Sequence, residues 1–406
     1  MDLSTNMPPE SNLPPSRSPE AGELLLRDAR LARSSERRFR VNPDPDARRV
    51  RWARCALLVG SMFGAILIAE LGARAINFAV GDGPPYGDRS VRREWQWARA
   101  HLDAGTASLD GYARHHPKLG WALRPGLHLQ ALNTNSMGMR GLHEFPLMHA
   151  DQLRVLFVGD SYTFGWGVAD DEAFPAVLAE LAPEWEIMNL GVPGYGADQA
   201  LLMYEELGRH YHPDVVVLGF FVRGFDRVLG RFRSYAKPWF TLDRRNVLRL
   251  HGVPVPAPEQ LYQTYRSGRR RVGDGIYSYF FGELSEVREK LHSFMPVNRD
   301  DREWKLMSAI LRRFRDRVSE EGASPLLLII PTRKNAGAER NYERIADLAK
   351  QEAEAMGMPC LSLADGLADV PDEVLFRSDK EGGHMSPAGN RLAAEHLRRR
   401  LREGRM

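Results

Sequence analysis

The residues of this chain best suited to chemistry lie in three separated stretches, the first being Val158-Gly159-Asp160-Ser161. A serine placed directly after a short apolar run stands at the carboxyl end of a buried strand, and Gly159 lets the backbone turn sharply there. The second stretch is Ser378-Asp379-Lys380-Glu381-Gly382-Gly383-His384-Met385-Ser386-Pro387. Ser386 followed by Pro387 predicts a helix start, with serine as the cap and proline in the first turn. His384 therefore falls in the loop before the last helix, with carboxylates three and five residues upstream. A histidine activates a serine by taking its proton, and a carboxylate on the other ring nitrogen fixes the tautomer. The third stretch, Asn189-Leu190-Gly191-Val192-Pro193-Gly194-Tyr195-Gly196, is a glycine-rich turn after another apolar run. It places backbone N–H groups beside Ser161, where they would stabilise the oxyanion of a tetrahedral intermediate.

Other polar residues carry weaker signals. His115 and His116 are adjacent, but no carboxylate or cysteine pattern accompanies them, so neither metal nor cofactor is expected. Tyr162, Phe164 and Trp166 read as walls around the serine turn. Asp170-Asp171 reads as the N-cap of the next helix. For Arg140, a structural ion pair is preferred over an anion site.

The elements that must position these residues follow from the apolar pattern. Runs at 153–158, 186–190, 214–221, 325–331 and 358–363 are short and almost continuously apolar, as strands buried on both faces are. Helical patterns lie between and around them at 172–181, 198–211, 302–319 and 339–356. This alternation predicts an α/β fold: a five-stranded parallel sheet with helices on both faces and working residues at the carboxyl ends of the strands. Residues 227–298 break the alternation and are too long for a plain connection. They read as an insertion, either a lid over the active edge or an extra packing subdomain.

The N-terminal part has a different composition. Residues 1–51 are rich in proline, serine and arginine and poor in apolar groups, which predicts a disordered basic tail. From Cys55 to Ala69 every residue is apolar or small, and residues 75–80 are apolar again. Glu70 and Arg74 interrupt the run at i and i+4, where they can pair on one helix face. The expectation is a single-pass membrane anchor over 52–80. Arginines are in excess upstream, so the N-terminus should stay in the cytoplasm and the remainder should cross. The net charge of +3 over 406 residues gives no reason to expect a nucleic-acid partner. A disulfide between the two cysteines, Cys55 and Cys360, is not expected.

The three stretches, together with Gly159-Asp160-Ser161-Tyr162-Thr163-Phe164-Gly165-Trp166-Gly167-Val168 and Asn135-Ser136-Met137-Gly138-Met139-Arg140-Gly141, resemble the SGNH (GDSL-type) hydrolases. The narrower resemblance is to a bacterial subgroup in which a transmembrane helix precedes the hydrolase domain. The resemblance spans about 115–400 and implies a flavodoxin-like α/β/α sandwich. It also implies ester hydrolysis or acyl transfer on an acylated carbohydrate, lipid or cell-envelope polymer, outside the cytoplasmic membrane. Carried over, Ser161 is the nucleophile and His384 the base, and the Ser161 and Gly194 N–H groups belong to the oxyanion hole. Two departures stand out. The family's third block supplies an asparagine donor, yet no asparagine occurs between Asn189 and Asn246. Arg223, after the third strand, is the candidate replacement, and a non-catalytic binding protein on the same fold is the alternative reading. The family's acid is an aspartate three residues before the histidine, where this chain has Glu381. Asp379, five residues before, is preferred for its residue type, with Glu381 the alternative. The expected organisation is a tail over 1–51, an anchor over 52–80, a linker and extension over 81–150, and a hydrolase domain over 151–403.

Overall fold

The computed structural model of the chain describes residues 45–80, 89–148, 152–267, 296–333, 339–378 and 383–403. The chain divides into two units, residues 1–69 and 70–406.

Helix α1, Pro45–Val80, contains the apolar run of the N-terminal unit and continues past its boundary. Within Arg49–Ala75 an 18-residue stretch reaches a mean hydropathy of 2.0, and none of that stretch is buried in protein. Leu57, Phe63 and Ile68 are each at least two-thirds exposed. A stretch of 27 residues spans about 40 Å as α-helix, more than the roughly 30 Å of a bilayer's hydrocarbon core. Glu70 and Arg74 form the expected i,i+4 pair, with Arg74 Nε 2.8 Å from Glu70 Oε1.

Residues 70–406 are built on a five-stranded parallel sheet. Its strands are β1 (Leu153–Gly159), β2 (Trp185–Gly191), β3 (Val215–Phe221), β4 (Ser324–Ile330) and β5 (Cys360–Ser362). Their spatial order is β2-β1-β3-β4-β5, the doubly wound order of the flavodoxin type. Register pairs Gly159 of β1 with Gly191 of β2, and Val158 with Leu218 of β3. The period-two alternation of each strand divides its side chains between two cores. Leu156, Val158, Met188 and Leu218 face one layer, with Leu201, Ile310, Phe314 and Leu348. Val155, Phe157, Ile187 and Val217 face the other, with Phe174, Leu178, Ala394 and Leu397. The result is the three-layer α/β/α sandwich expected from the continuous apolar runs.

Around the sheet lie helices α2 (Arg89–Ala104), α3 (Ser161–Phe164), α4 (Phe174–Leu181), α5 (Ala197–Glu206), α6 (Pro258–Arg266), α7 (Arg302–Glu320), α8 (Glu339–Ala355) and α9 (Pro387–Arg402). The helix predicted over 198–211 is instead α5 followed by a separate 3₁₀ turn, Gly208–Tyr211. Gly208 accounts for the break. A Cβ there would stand 2.6 Å from Leu156 Cδ2, so the chain must pass close over β1 at that point. Asp170 does not cap α4, whose N-cap is Ala173. It pairs with buried Arg140, Nε to Oδ1 2.5 Å, and accepts from the backbone N of Asn133. A carboxylate beside a desolvated guanidinium is held by that charge more strongly than by a helix end. Burial pulls the Arg140 pKa down, and Asp170 opposes the shift.

The N-terminal extension packs against β2. The Asn135 side chain accepts from the N–H groups of Met137 and Met139, closing a tight turn at Gly138 (φ +83°). Arg140 N then donates to the Asn189 carbonyl at 3.0 Å. The described part of the insertion contains an antiparallel hairpin, Trp239–Leu242 with Leu248–His251, and α6. It packs on the extension through Val255 N to Pro117 O at 2.7 Å and Tyr265 Oη to Glu94 at 3.3 Å. Residues 268–295, which include the aromatic-rich part of the insertion, lie outside the described residues.

Candidate active site

Three glycines at strand ends make room for the serine turn. A Cβ on Gly159 or on Gly219 would stand 2.1 Å from Thr163 Oγ1, and one on Gly191 would stand 2.4 Å from Phe164 N. Helix α3 therefore lies directly on the carboxyl ends of β1 and β2 and against Gly219 of β3, because no side chain stands at these three positions. Asn189 fastens it from below, donating Nδ2 to Thr163 O at 2.9 Å and accepting from Gly191 N at 2.9 Å. Asp160 caps its start, with Oδ1 accepting from Tyr162 N at 2.9 Å. Ser161 emerges at the first position of this helix and is 7% exposed.

His384 arrives from the far end of the sequence. Its Nε2 is 2.9 Å from Ser161 Oγ, across 223 residues of chain. The histidine loop is pinned on both sides. Arg377 N donates to His384 O at 2.8 Å and Ser386 N to Leu375 O at 2.8 Å. Ser386 caps α9 through Gly389 N at 2.9 Å, as the Ser386-Pro387 pair predicts. Tyr162 supports the ring. It stacks on Phe221 at 4.0 Å, lies 4.9 Å from the His384 ring, and donates Oη to Gly383 O at 3.2 Å. Asp379 and Glu381, the two candidates for the acid, lie outside the described residues.

The glycine-rich turn follows β2. Gly194 takes φ +88°, a conformation that side chains rarely adopt. Trp121 Nε1 holds the turn by donating to Pro193 O at 3.1 Å, and Tyr195 N closes it on Val192 O at 3.2 Å. Tyr195 Oη donates to Trp121 O, and burial raises the Tyr195 pKa well above its ordinary value, so this donor keeps its proton. Among the described residues the N–H groups of Ser161 and Gly194 donate to no protein acceptor. That is the condition two donors must meet to receive a transient oxyanion.

Arg223 does not enter this cleft. It is exposed, with its guanidinium 6.0 Å from the centre of the Tyr342 ring on α8. The reason is helical phase. Residues 222–229 form a 3₁₀ helix, in which positions three apart share a face, so Gly224 and Arg227 align and Arg223 points elsewhere. Arg227 is the residue that sequence reasoning missed. Its Nη1 lies 2.6 Å from Asp160 Oδ2 and 2.8 Å from Tyr195 O, and it borders a small cavity behind the serine turn with Gly159, Gly196 and Phe221. One signal was available. Asp160 uses one oxygen as a helix cap, and a buried carboxylate beside a nucleophile also needs a cation for the other. Only Arg223 and Arg227 follow the third strand closely enough to supply one.

The chain carries two cysteines, Cys55 and Cys360. Both are free thiols, and burial pushes the Cys360 thiol up to about 12, which leaves little thiolate at neutral pH.

No protein-family model matches the chain, and no curated protein matches it. Solved structures do. A lipase/acylhydrolase from Enterococcus faecalis is 16% identical, with a TM-score of 0.35, over 62% of this chain and 96% of its own. A psychrotrophic esterase from Pseudoalteromonas sp. is 12% identical, with a TM-score of 0.36, over 62% of this chain and 98% of its own. A GDSL-like lipase from Bacteroides thetaiotaomicron is 12% identical, with a TM-score of 0.34, over 64% of this chain and 93% of its own.

Proposed function

We propose that this chain is a serine esterase or acyltransferase held to the bacterial cytoplasmic membrane by α1, with its α/β domain on the extracytoplasmic side. The observation that carries the chemistry is the 2.9 Å approach of His384 Nε2 to Ser161 Oγ at the carboxyl edge of the sheet. A neutral imidazole with its proton on Nδ1 takes the serine proton through Nε2 as the oxygen attacks the acyl carbon. The tetrahedral oxyanion then rests on the N–H groups of Ser161 and Gly194. His384 returns the proton to the departing alcohol, and an acyl-serine remains. Water or a second hydroxyl, activated in the same way, releases the acyl group. Asp379 or Glu381 is the acid on Nδ1. The substrate class is an acylated carbohydrate, lipid or cell-envelope polymer.

The upstream arginine excess supports the orientation, and the exposed apolar surface of α1 supports the anchor. The purified chain should hydrolyse short-chain p-nitrophenyl esters, and Ser161→Ala should lower turnover by about 10⁴-fold or more. Equal turnover by the wild type and Ser161→Ala would count against the nucleophile, whatever the substrate.

A further inference from the structure

We propose that Arg227 is a positioning residue that holds the two oxyanion donors at their working separation, and that Lys237 and Asp198 hold Arg227. The proposal rests on the serine-esterase reading and accounts for how that site operates without the usual asparagine.

The Ser161 and Gly194 N–H groups sit on different segments, the start of α3 and the turn after β2. Stabilising an oxyanion requires both to point at one position, and donors displaced by even a fraction of an ångström lose much of their effect. Arg227 joins the two segments through one atom. Its Nη1 donates to Asp160 Oδ2, one residue before Ser161, at 2.6 Å, and to Tyr195 O, one residue after Gly194, at 2.8 Å. The clamp is buried: the side chains of Arg227 and Asp160 are 10% and 5% exposed. Water therefore screens the ion pair little.

Arg227 is anchored in turn from the inserted segment. Lys237 Nζ donates to Arg227 O at 3.1 Å and to Gly230 O at 3.3 Å, gathering carbonyls at the end of the 3₁₀ helix. The same ammonium pairs with Asp198 Oδ2 on α5, and both side chains are 1% exposed. Asp198 Oδ1 lies just below Gly196, where a Cβ would meet it at 2.5 Å. Two buried ion pairs in series thus link the oxyanion turn, the nucleophile helix and the insertion. A desolvated lysine-aspartate pair is costly to assemble and gives little net stability over an apolar pair. Its position, against the carbonyl of the clamp residue, fits a role in geometry.

The test uses the detergent-solubilised full chain and p-nitrophenyl acetate, with kcat expressed per serine reactive to fluorophosphonate. Arg227→Ala should lower kcat about 10²-fold with KM changed less than threefold, the size expected when an oxyanion donor is lost. Arg227→Lys keeps the charge but not the planar fork and should recover at most one-tenth of the wild-type kcat. Guanidinium chloride at tens of millimolar should raise the kcat of Arg227→Ala at least fivefold, while sodium chloride at the same concentration should not. A merely structural arginine would lower the labelled fraction and the melting temperature, leave kcat per labelled site intact, and show no rescue. That result, or wild-type kcat in folded Arg227→Lys, overturns the clamp and leaves the esterase reading standing. A wild-type chain that neither labels nor turns over ester overturns the esterase reading and the clamp with it.

Discussion

Replacing His384 with alanine is expected to lower kcat for an activated ester by about 10⁴-fold or more, with KM nearly unchanged. The effect is large because the serine hydroxyl is a weak nucleophile until its proton has somewhere to go. Within hydrogen-bond reach of Ser161 Oγ, His384 Nε2 is the one side-chain nitrogen shown among the described residues. The ring is held in place by Tyr162, by the Arg377 N–H on its own carbonyl and by the capped start of α9. The double variant Ser161→Ala/His384→Ala should be no slower than either single variant, since the pair acts as a unit. Additive losses, each multiplying the other, would show that the two residues act separately. Unchanged melting temperature in His384→Ala keeps the comparison free of folding effects.

The second large effect concerns the anchor. The full chain should sediment with membranes, resist carbonate washing and be extracted by detergent, whereas residues 82–406 should remain in the soluble fraction. The truncated protein should keep ester turnover within threefold. In physical terms, the Arg49–Ala75 stretch exposes its apolar side chains, and a surface of that kind is stable only against lipid or another protein. Glu70 and Arg74 pair with one another, which would lessen the cost of bringing either charge near hydrocarbon. Full-length protein found in the soluble fraction without detergent would contradict the anchor.

Much of the fold was legible in the sequence because strands buried on both faces cannot tolerate polar residues. Runs such as Val215-Val216-Val217-Leu218 therefore stand out without any knowledge of their neighbours. Serine and histidine were legible for a different reason. Each lies at an element boundary marked by local chemistry, a strand-end glycine for Ser161 and a serine-proline helix start for His384. What could not be read was pairing across space. Arg227 reaches Asp160 over 67 residues of separation, and nothing local distinguishes it from Arg223 until the 3₁₀ phase is known. Asp170 has the look of a helix cap, yet Arg140, buried 30 residues upstream, recruits it. In both cases a desolvated charge found its partner by three-dimensional proximity, and the local pattern favoured a different role. The bulky insertion was visible as an interruption of the alternation, but its Lys237 contact with the clamp carries no sequence signature at all.

The most direct measurement is covalent labelling of the wild-type chain with a fluorophosphonate, followed by mapping of the modified peptide by mass spectrometry. One adduct is expected, on Ser161, formed at a rate reduced at least a hundredfold in His384→Ala and absent from Ser161→Ala. A folded wild-type chain left unlabelled at Ser161, or labelled equally fast without His384, would contradict it.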